Sequence, residues 1–503
     1  MSTVADPSTV SPGTPAPLRL DGASLTARTV AAAARASGPP ELRVDEQALA
    51  RVGLASALAA DLSTRRVVYG RTTGVGANRV EQTEGADLAG HGVRLLRSHA
   101  GGTGNRLSPR QVRATMLVRL NQLLTGHSGV SPEVVGALAD ALRAGARPVV
   151  HRLGAIGTGD LAPLAQIALA LTGEGAWEVG PAPEPVAFDA GDALGFLSSN
   201  AATLAVAAIA ATRLDVILAA SHVVAALSYL ALEGSPEAYA EPVHRARPHP
   251  GQVRCAERMR DLLGMRDTPP KGRRIQDPFG LRAFPQVNGP ALDALEYLHA
   301  VLDVEINAGA ENPLISHQHG DAYHHAHFHT AYVATALDQT RAGVHQVAEL
   351  SAARLGDLVE PDQTGLRAFL ADGPPGSSGV MILEYVSHDA LAALRHAALP
   401  ATLGTAVVSR GLEDHASFAT QAARAAGDVA DAYTRVLACE LVAAVRALRL
   451  RGASGAGDPS RLPLGPAFRR ALAALDDRTD DRPLTPDLAA AAALITDPGW
   501  SAI

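Results

Sequence analysis

The stretch from residue 154 to residue 166 reads GAIGTGDLAPLAQ, with Thr158 between two glycines directly ahead of an apolar helical pattern. Glycine reaches backbone angles closed to other residues. Gly157-Thr158-Gly159 is therefore either a plain tight turn or one that brings the amide nitrogen of Gly159 to the carbonyl carbon of Gly157. In the second geometry the backbone can condense on itself.

Further segments carry residues able to do chemistry. Tyr69-Gly-Arg-Thr-Thr-Gly-Val-Gly76 sets a tyrosine ahead of a glycine-rich loop. It lacks the Lys-Ser/Thr ending that a phosphate-binding loop requires. Arg97-Ser-His-Ala-Gly-Gly-Thr-Gly104, Gln276-Asp-Pro-Phe-Gly-Leu-Arg282, Glu305-Ile-Asn-Ala-Gly-Ala-Glu-Asn-Pro313 and Leu412-Glu-Asp-His415 follow. Taken singly, each also reads as a loop or a capped helix end. His317, His319, His324, His325, His327 and His329 crowd one short segment. Imidazole is a common metal ligand. No cysteine accompanies them and Asp321 is the one carboxylate at hand, so hydrogen-bonded or solvated histidines are expected and no metal is assigned.

These segments need a scaffold, and the composition points to helices. Ala, Leu and Val dominate, aromatic residues are 4% and charged residues 19% of the 503-residue chain. Helical length and period occur near 200–233, 290–307, 328–355, 379–408 and 414–450. Their scarcity of polar residues predicts helices packed on several sides. Ser108-Pro-Arg-Gln111 predicts a capping box, and Ser131-Pro132 a second helix start. Asp160 is expected to cap the helix after the triplet. Short strands are expected near 66–69 and 147–150. Residues 1–20 read as a disordered tail, 21–195 as a mixed N-terminal part carrying Tyr69 and the triplet, and 196–503 as a central bundle with C-terminal helices.

The net charge of −7 and the lack of a basic cluster argue against nucleic-acid binding. Lys271 is the sole lysine, which leaves little scope for Schiff-base chemistry. Cys255 and Cys439 form neither a disulfide framework nor a zinc spacing, so a reducing cytoplasm is the expectation. The opening residues lack the basic start and apolar core of a signal peptide. The apolar run 216–232 sits at the short limit for a membrane span and contains His222, so it reads as a buried bundle helix.

In this order and spacing the segments resemble the aromatic amino acid ammonia-lyase and aminomutase family, best known through histidine ammonia-lyase. The resemblance runs from about residue 45 through DRPLTPD at 481–487. It implies a mainly α fold of the L-aspartase/fumarase-like kind, a homotetramer, and active sites assembled from three subunits. It also implies an amino-acid substrate and an electrophile, 4-methylidene-imidazol-5-one (MIO), formed from an Ala-Ser-Gly triplet in a GSVGASGDLAPL context. Gly157-Thr158-Gly159 stands at that place.

Carried over position by position, the resemblance makes Tyr69 the base and Arg282 the clamp for the substrate carboxylate. Asn312 and Gln276 order the site. Ser98-His99 matches the side-chain pocket of histidine lyases and bacterial tyrosine aminomutases, and Glu413 matches the glutamate of histidine lyases. A phenol acting as base needs a lowered pKa, which helix N-termini and cations can provide. The departures also lie in the site. GAIGTGDL is one residue shorter than GSVGASGDL, and dehydration of Thr158 would give an ethylidene with an electron-donating, hindering methyl. Ser198 takes the place of the family's Asn in LALLNGT, with Asn200 two residues on as a substitute. Phe279 replaces the Tyr of QDxYSLR, and His327 the Asn of GNFHG. The expectation is a lyase or 2,3-aminomutase acting on a His- or Tyr-like amino acid. The alternatives are an enzyme on the same scaffold using Tyr69 without the electrophile, or a homologue that is inactive or responds to metal.

Overall fold

The computed structural model describes residues 17–83, 88, 90–272, 274–452 and 458–502. Most of the expected tail lies outside them. Its last part does not: β1 (Leu18–Leu20) pairs in parallel with β2 (Leu42–Val44), so the ordered chain begins before residue 21. Between and after them run α1 (Ala27–Arg35), α2 (Glu46–Arg65) and α3 (His91–His99). Then come β3 (Thr103–Arg106), α4 (Pro109–Leu123), α5 (Pro132–Arg143), β4 (Arg147–Pro148), β5 (His151–Leu153), α6 (Leu161–Leu171), β6 (Trp177–Val179) and α7 (Ala190–Leu197). The capping box at Ser108 and Gln111 forms as the sequence predicts, with the serine hydroxyl accepting from the Gln111 amide.

Two antiparallel ribbons, β3 with β5 and β4 with β6, frame the chain just before the triplet. No strand forms at 66–69. There the chain turns instead, with the Val68 amide donating to Thr72 Oγ1 at 2.9 Å and the Gly70 amide to Thr73 Oγ1 at 3.0 Å.

The bundle follows. It comprises α8 (Ala201–Ala231), α9 (Glu241–Arg245), α10 (Pro250–Leu263), α11 (Phe279–Arg282) and α12 (Phe284–Ile306), the hairpin β7 (Leu314–Ser316) with β8 (Asp321–Tyr323), then α13 (Ala331–Val359), α14 (Pro361–Thr364), α15 (Ile382–Ala398) and α16 (Ala419–Arg451). Helices α17 (Gly465–Ala474), α18 (Thr485–Ile495) and α19 (Pro498–Ser501) close the chain. Helix α16 is the hub, packed against α8, α13 and α15, while α12 bridges α13 and α10. Alanine-rich faces let these helices approach closely and bury almost the whole length of α8. The run 216–232 accordingly lies inside the bundle. Buried His222 donates from Nδ1 to Leu218 O at 2.8 Å, and burial pulls its pKa down to about 4.

The helix expected over 379–408 ends at Ala398. The one expected from 414 starts at Ala419, which leaves 399–418 as a loop beside the triplet.

Candidate active site

The turn at 157–159 is shaped by its glycines. Gly157 has φ +85° and Gly159 φ +108°, both in the region that favours glycine. A Cβ at Gly157 would overlap Ser417 Oγ, so that position has no room for a side chain. Three donors converge on the Gly157 carbonyl oxygen: Ser417 Oγ at 3.0 Å, Thr330 Oγ1 at 3.2 Å and the Thr330 amide at 3.4 Å. The Gly159 amide donates to Asn200 Oδ1 at 3.2 Å. The Phe418 amide donates to Ile156 O at 2.9 Å and ties the turn to the start of α16.

Asp160 precedes α6, but its carboxylate does not cap that helix. It accepts from the amide and hydroxyl of Thr203 at 2.6 Å and 2.9 Å, and so caps α8 instead. Complete burial outweighs those hydrogen bonds and pushes its pKa up to about 6.

A cavity of about 520 Å³ opens over this turn. Tyr69, His99, Thr158, Gly159, Ser198, Asn312 and Glu413 all line it, among Leu95, Leu161, Leu194, Leu197 and Phe328. The rest of the sequence-derived set lies elsewhere. Gly157 is buried behind the wall. His327 is exposed, its Nδ1 3.4 Å from Gly309 O. Gln276 precedes the short helix α11, and Phe279 and Arg282 form its two ends; all three lie outside the cavity, and Phe279 is 63% exposed. The Arg282 guanidinium stacks 4.2 Å over the Phe279 ring and donates from Nε to Asp277 O at 2.7 Å.

Tyr69 is half-buried, and its phenol oxygen accepts from the Gly76 amide at 2.6 Å. Its backbone amide donates to His324 Nε2 at 3.3 Å. The sequence reading required a lowered phenol pKa, whereas within one chain it is raised. Burial is the main cause and the nearby Glu413 charge adds to it, opposed by the Gly76 hydrogen bond and Arg79.

Ser198 lines the cavity without bonding to the triplet in this chain. Its hydroxyl accepts from the Asn312 amide at 2.9 Å, and Asn200 makes the contact to Gly159. Asn312 Oδ1 in turn accepts from the His325 amide at 3.0 Å. His329 Nε2 and His415 Nδ1 are 2.9 Å apart. Among the described residues no three His, Cys, Asp or Glu side chains are grouped to hold a metal ion.

Thr330, Ser417 and Ser409 escaped the sequence reading. The signal was their place beside the motifs, directly ahead of α13, ahead of α16 and before Glu413. The Ser409 hydroxyl accepts from the Ala77 amide at 2.8 Å, latching the Tyr69 loop to the 399–418 loop.

The glycine turn, its carbonyl accepting from three donors, thus shares one cavity wall with a tyrosine and a glutamate, and comparison with known proteins places the chain in a family. Residues 25–477 match the family model for aromatic amino acid lyase. The chain belongs to that family. It is 36% identical over 452 residues to histidine ammonia-lyase of Geobacillus kaustophilus, covering 87% of this chain and 89% of that one. Histidine ammonia-lyase from Trypanosoma cruzi superposes with a TM-score of 0.86 at 27% identity, over 95% of this chain and 92% of that one. Tyrosine aminomutase from Streptomyces globisporus gives a TM-score of 0.88 at 25% identity, over 96% and 97%. As an aromatic amino acid lyase homologue, the chain has the mainly helical fold that its sequence predicts.

Proposed function

We propose that this chain is an ammonia-lyase or 2,3-aminomutase for a His- or Tyr-like α-amino acid, working in the cytoplasm as a homotetramer. The observation that carries the reading is the single cavity gathering Tyr69, His99, Thr158, Gly159, Asn312 and Glu413. In this reading Tyr69 removes the β-proton, His99 and Glu413 face the aromatic ring, and Asn312 orders the amino-acid end. Within one chain, Arg282 and Phe279 lie outside that cavity. The exposure of Phe279 and the half-buried place of Arg282 outside the cavity support completion of each site by α11 of a neighbouring subunit. The buried, unpaired thiols of Cys255 and Cys439 suit a reducing compartment.

The turn fits a backbone-derived electrophile. Donors polarise the Gly157 carbonyl, Asn200 holds the Gly159 amide, and both glycines adopt positive φ in a tight turn. Formed from Gly157-Thr158-Gly159, the group would supply the electrophilic carbon that turns the substrate amine into a leaving group. Intact mass tests this, with a mass lower by two water molecules expected.

The second reading keeps the scaffold and Tyr69 without the electrophile. It is favoured by Thr158, whose methyl hinders and donates electrons at the carbon to be attacked. An unmodified mass together with turnover that depends on Tyr69 would select it. An unmodified mass, with no turnover on a panel of His, Tyr and Phe, would leave the inactive homologue.

A further inference from the structure

Arg354 of α13 and Glu440 of α16 form an ion pair inside the bundle, both fully inaccessible. Arg354 Nε donates to Glu440 Oε1 at 2.6 Å and Nη2 to Oε2 at 2.8 Å. The hydroxyls of Ser228 and Ser351 donate to the same carboxylate at 2.7 Å and 2.6 Å. Replacing such a pair by packed apolar residues is often neutral or stabilising. Stability alone therefore does not account for it.

The third guanidinium nitrogen points to a role. Arg354 Nη1 donates to the carbonyl oxygen of Gly280 at 3.0 Å. Gly280 lies in α11, the four-residue helix that ends at Arg282. One helical turn cannot hold itself, because nucleation costs more than a single turn returns. The next carbonyl, Leu281 O, accepts from the buried Tyr239 hydroxyl at 2.7 Å. On the entering side, the Asp277 carboxylate accepts from the Ser235 amide at 2.5 Å and from Arg274 Nε at 2.7 Å. A Cβ at Gly280 would come within 2.7 Å of Arg354 Cγ, so the turn sits directly on the arginine stem.

We propose that Arg354, held by Glu440, is a positioning residue that sets the backbone from which Arg282 grips a ligand carboxylate. The inference rests on the reading of Arg282 as the carboxylate clamp. Arg282 touches the ligand; Arg354 acts only through the α11 backbone, with Tyr239 as its companion.

Arg354→Lys keeps a cation facing Glu440 but loses the planar fork that reaches Gly280 O. Binding of L-histidine and L-tyrosine, and of their carboxamides, is measured on the full-length protein alongside thermal unfolding. Arg354→Lys should weaken the amino acids about 10-fold, the worth of one buried hydrogen bond, and the carboxamides far less. In an Arg282→Gln background the same change should cost less than about 2-fold, because the coupled residues do not add. Tyr239→Phe should follow the same pattern more mildly. Equal losses for acids and carboxamides, full additivity with Arg282→Gln, or a lowered melting temperature with unaltered binding would each overturn the proposal. If Arg282→Gln alone leaves binding at the wild-type level, the clamp reading fails, and hydrogen exchange of residues 277–284 decides this one. Faster exchange there in Arg354→Lys supports positioning, and unaltered exchange overturns it.

Discussion

The hydroxyl of Ser417 lies 3.0 Å from the carbonyl oxygen of Gly157, in the space that a side chain at 157 would fill. One contact thus dictates a glycine and polarises its carbonyl. Gly157→Ala should destabilise the protein by about 1–3 kcal/mol, from left-handed strain and from displacement of Ser417. Adding Ser417→Ala should recover part of that loss in thermal unfolding, because it removes the closest of three contacts while the Ala419 and Phe418 backbone nitrogens, at 2.9 Å and 3.0 Å, and the strain remain.

The raised phenol pKa of Tyr69 fixes the direction of the pH profile. If the phenolate is the base, kcat/KM climbs with pH across the range from about 7 to about 10, since the active form is the minority throughout. Tyr69→Phe should lower kcat by about 10²–10⁴-fold and abolish the climb. A flat wild-type profile over that range would remove Tyr69 as the base.

Asp160 gives a stability signature. Its folded pKa of about 6 stands above the ordinary aspartate value of 3.8. The folded state therefore holds the proton more tightly than the unfolded chain. That contribution is complete below about pH 4 and is lost as pH rises through about 6, a span of about 3 kcal/mol. The unfolding free energy of wild type minus that of Asp160→Asn should fall by roughly this amount between about pH 4 and about pH 7 in urea titrations.

Both cysteines are buried, and burial pushes the thiols of Cys255 and Cys439 upward, the latter to about 12. A thiol reagent at neutral pH should find neither in the folded protein and both after denaturation. Rapid labelling of the native chain would contradict the packing of α10 and α16.

The long helices were legible because an apolar period sustained over that length suits a packed helix and little else. Their ends were less so. The pattern over 379–408 continues in composition past Ala398, but Pro400 and Gly404 stop it, and the freed loop becomes part of the site. Residues 66–69 have strand-forming side chains, yet a strand needs a partner, and nearby threonine hydroxyls fold the segment into a turn instead. Asp160 occupies a helix-start position, and local rules gave it that helix, whereas the tertiary neighbour α8 took its carboxylate. Tyr69, His99 and Glu413 were found through their motifs. Thr330 and Ser417 were missed because a single small polar residue carries no local sign of the carbonyl it will meet far along the chain.

One chain keeps Tyr69 at its cavity and Arg282 on a turn outside it. Two defective proteins, Tyr69→Phe and Arg282→Gln, each retain the half that the other lacks. On the proposed reading of sites shared between subunits, the two unfolded together and reassembled should regain turnover that neither has alone, an intact phenol from one parent meeting an intact guanidinium from the other.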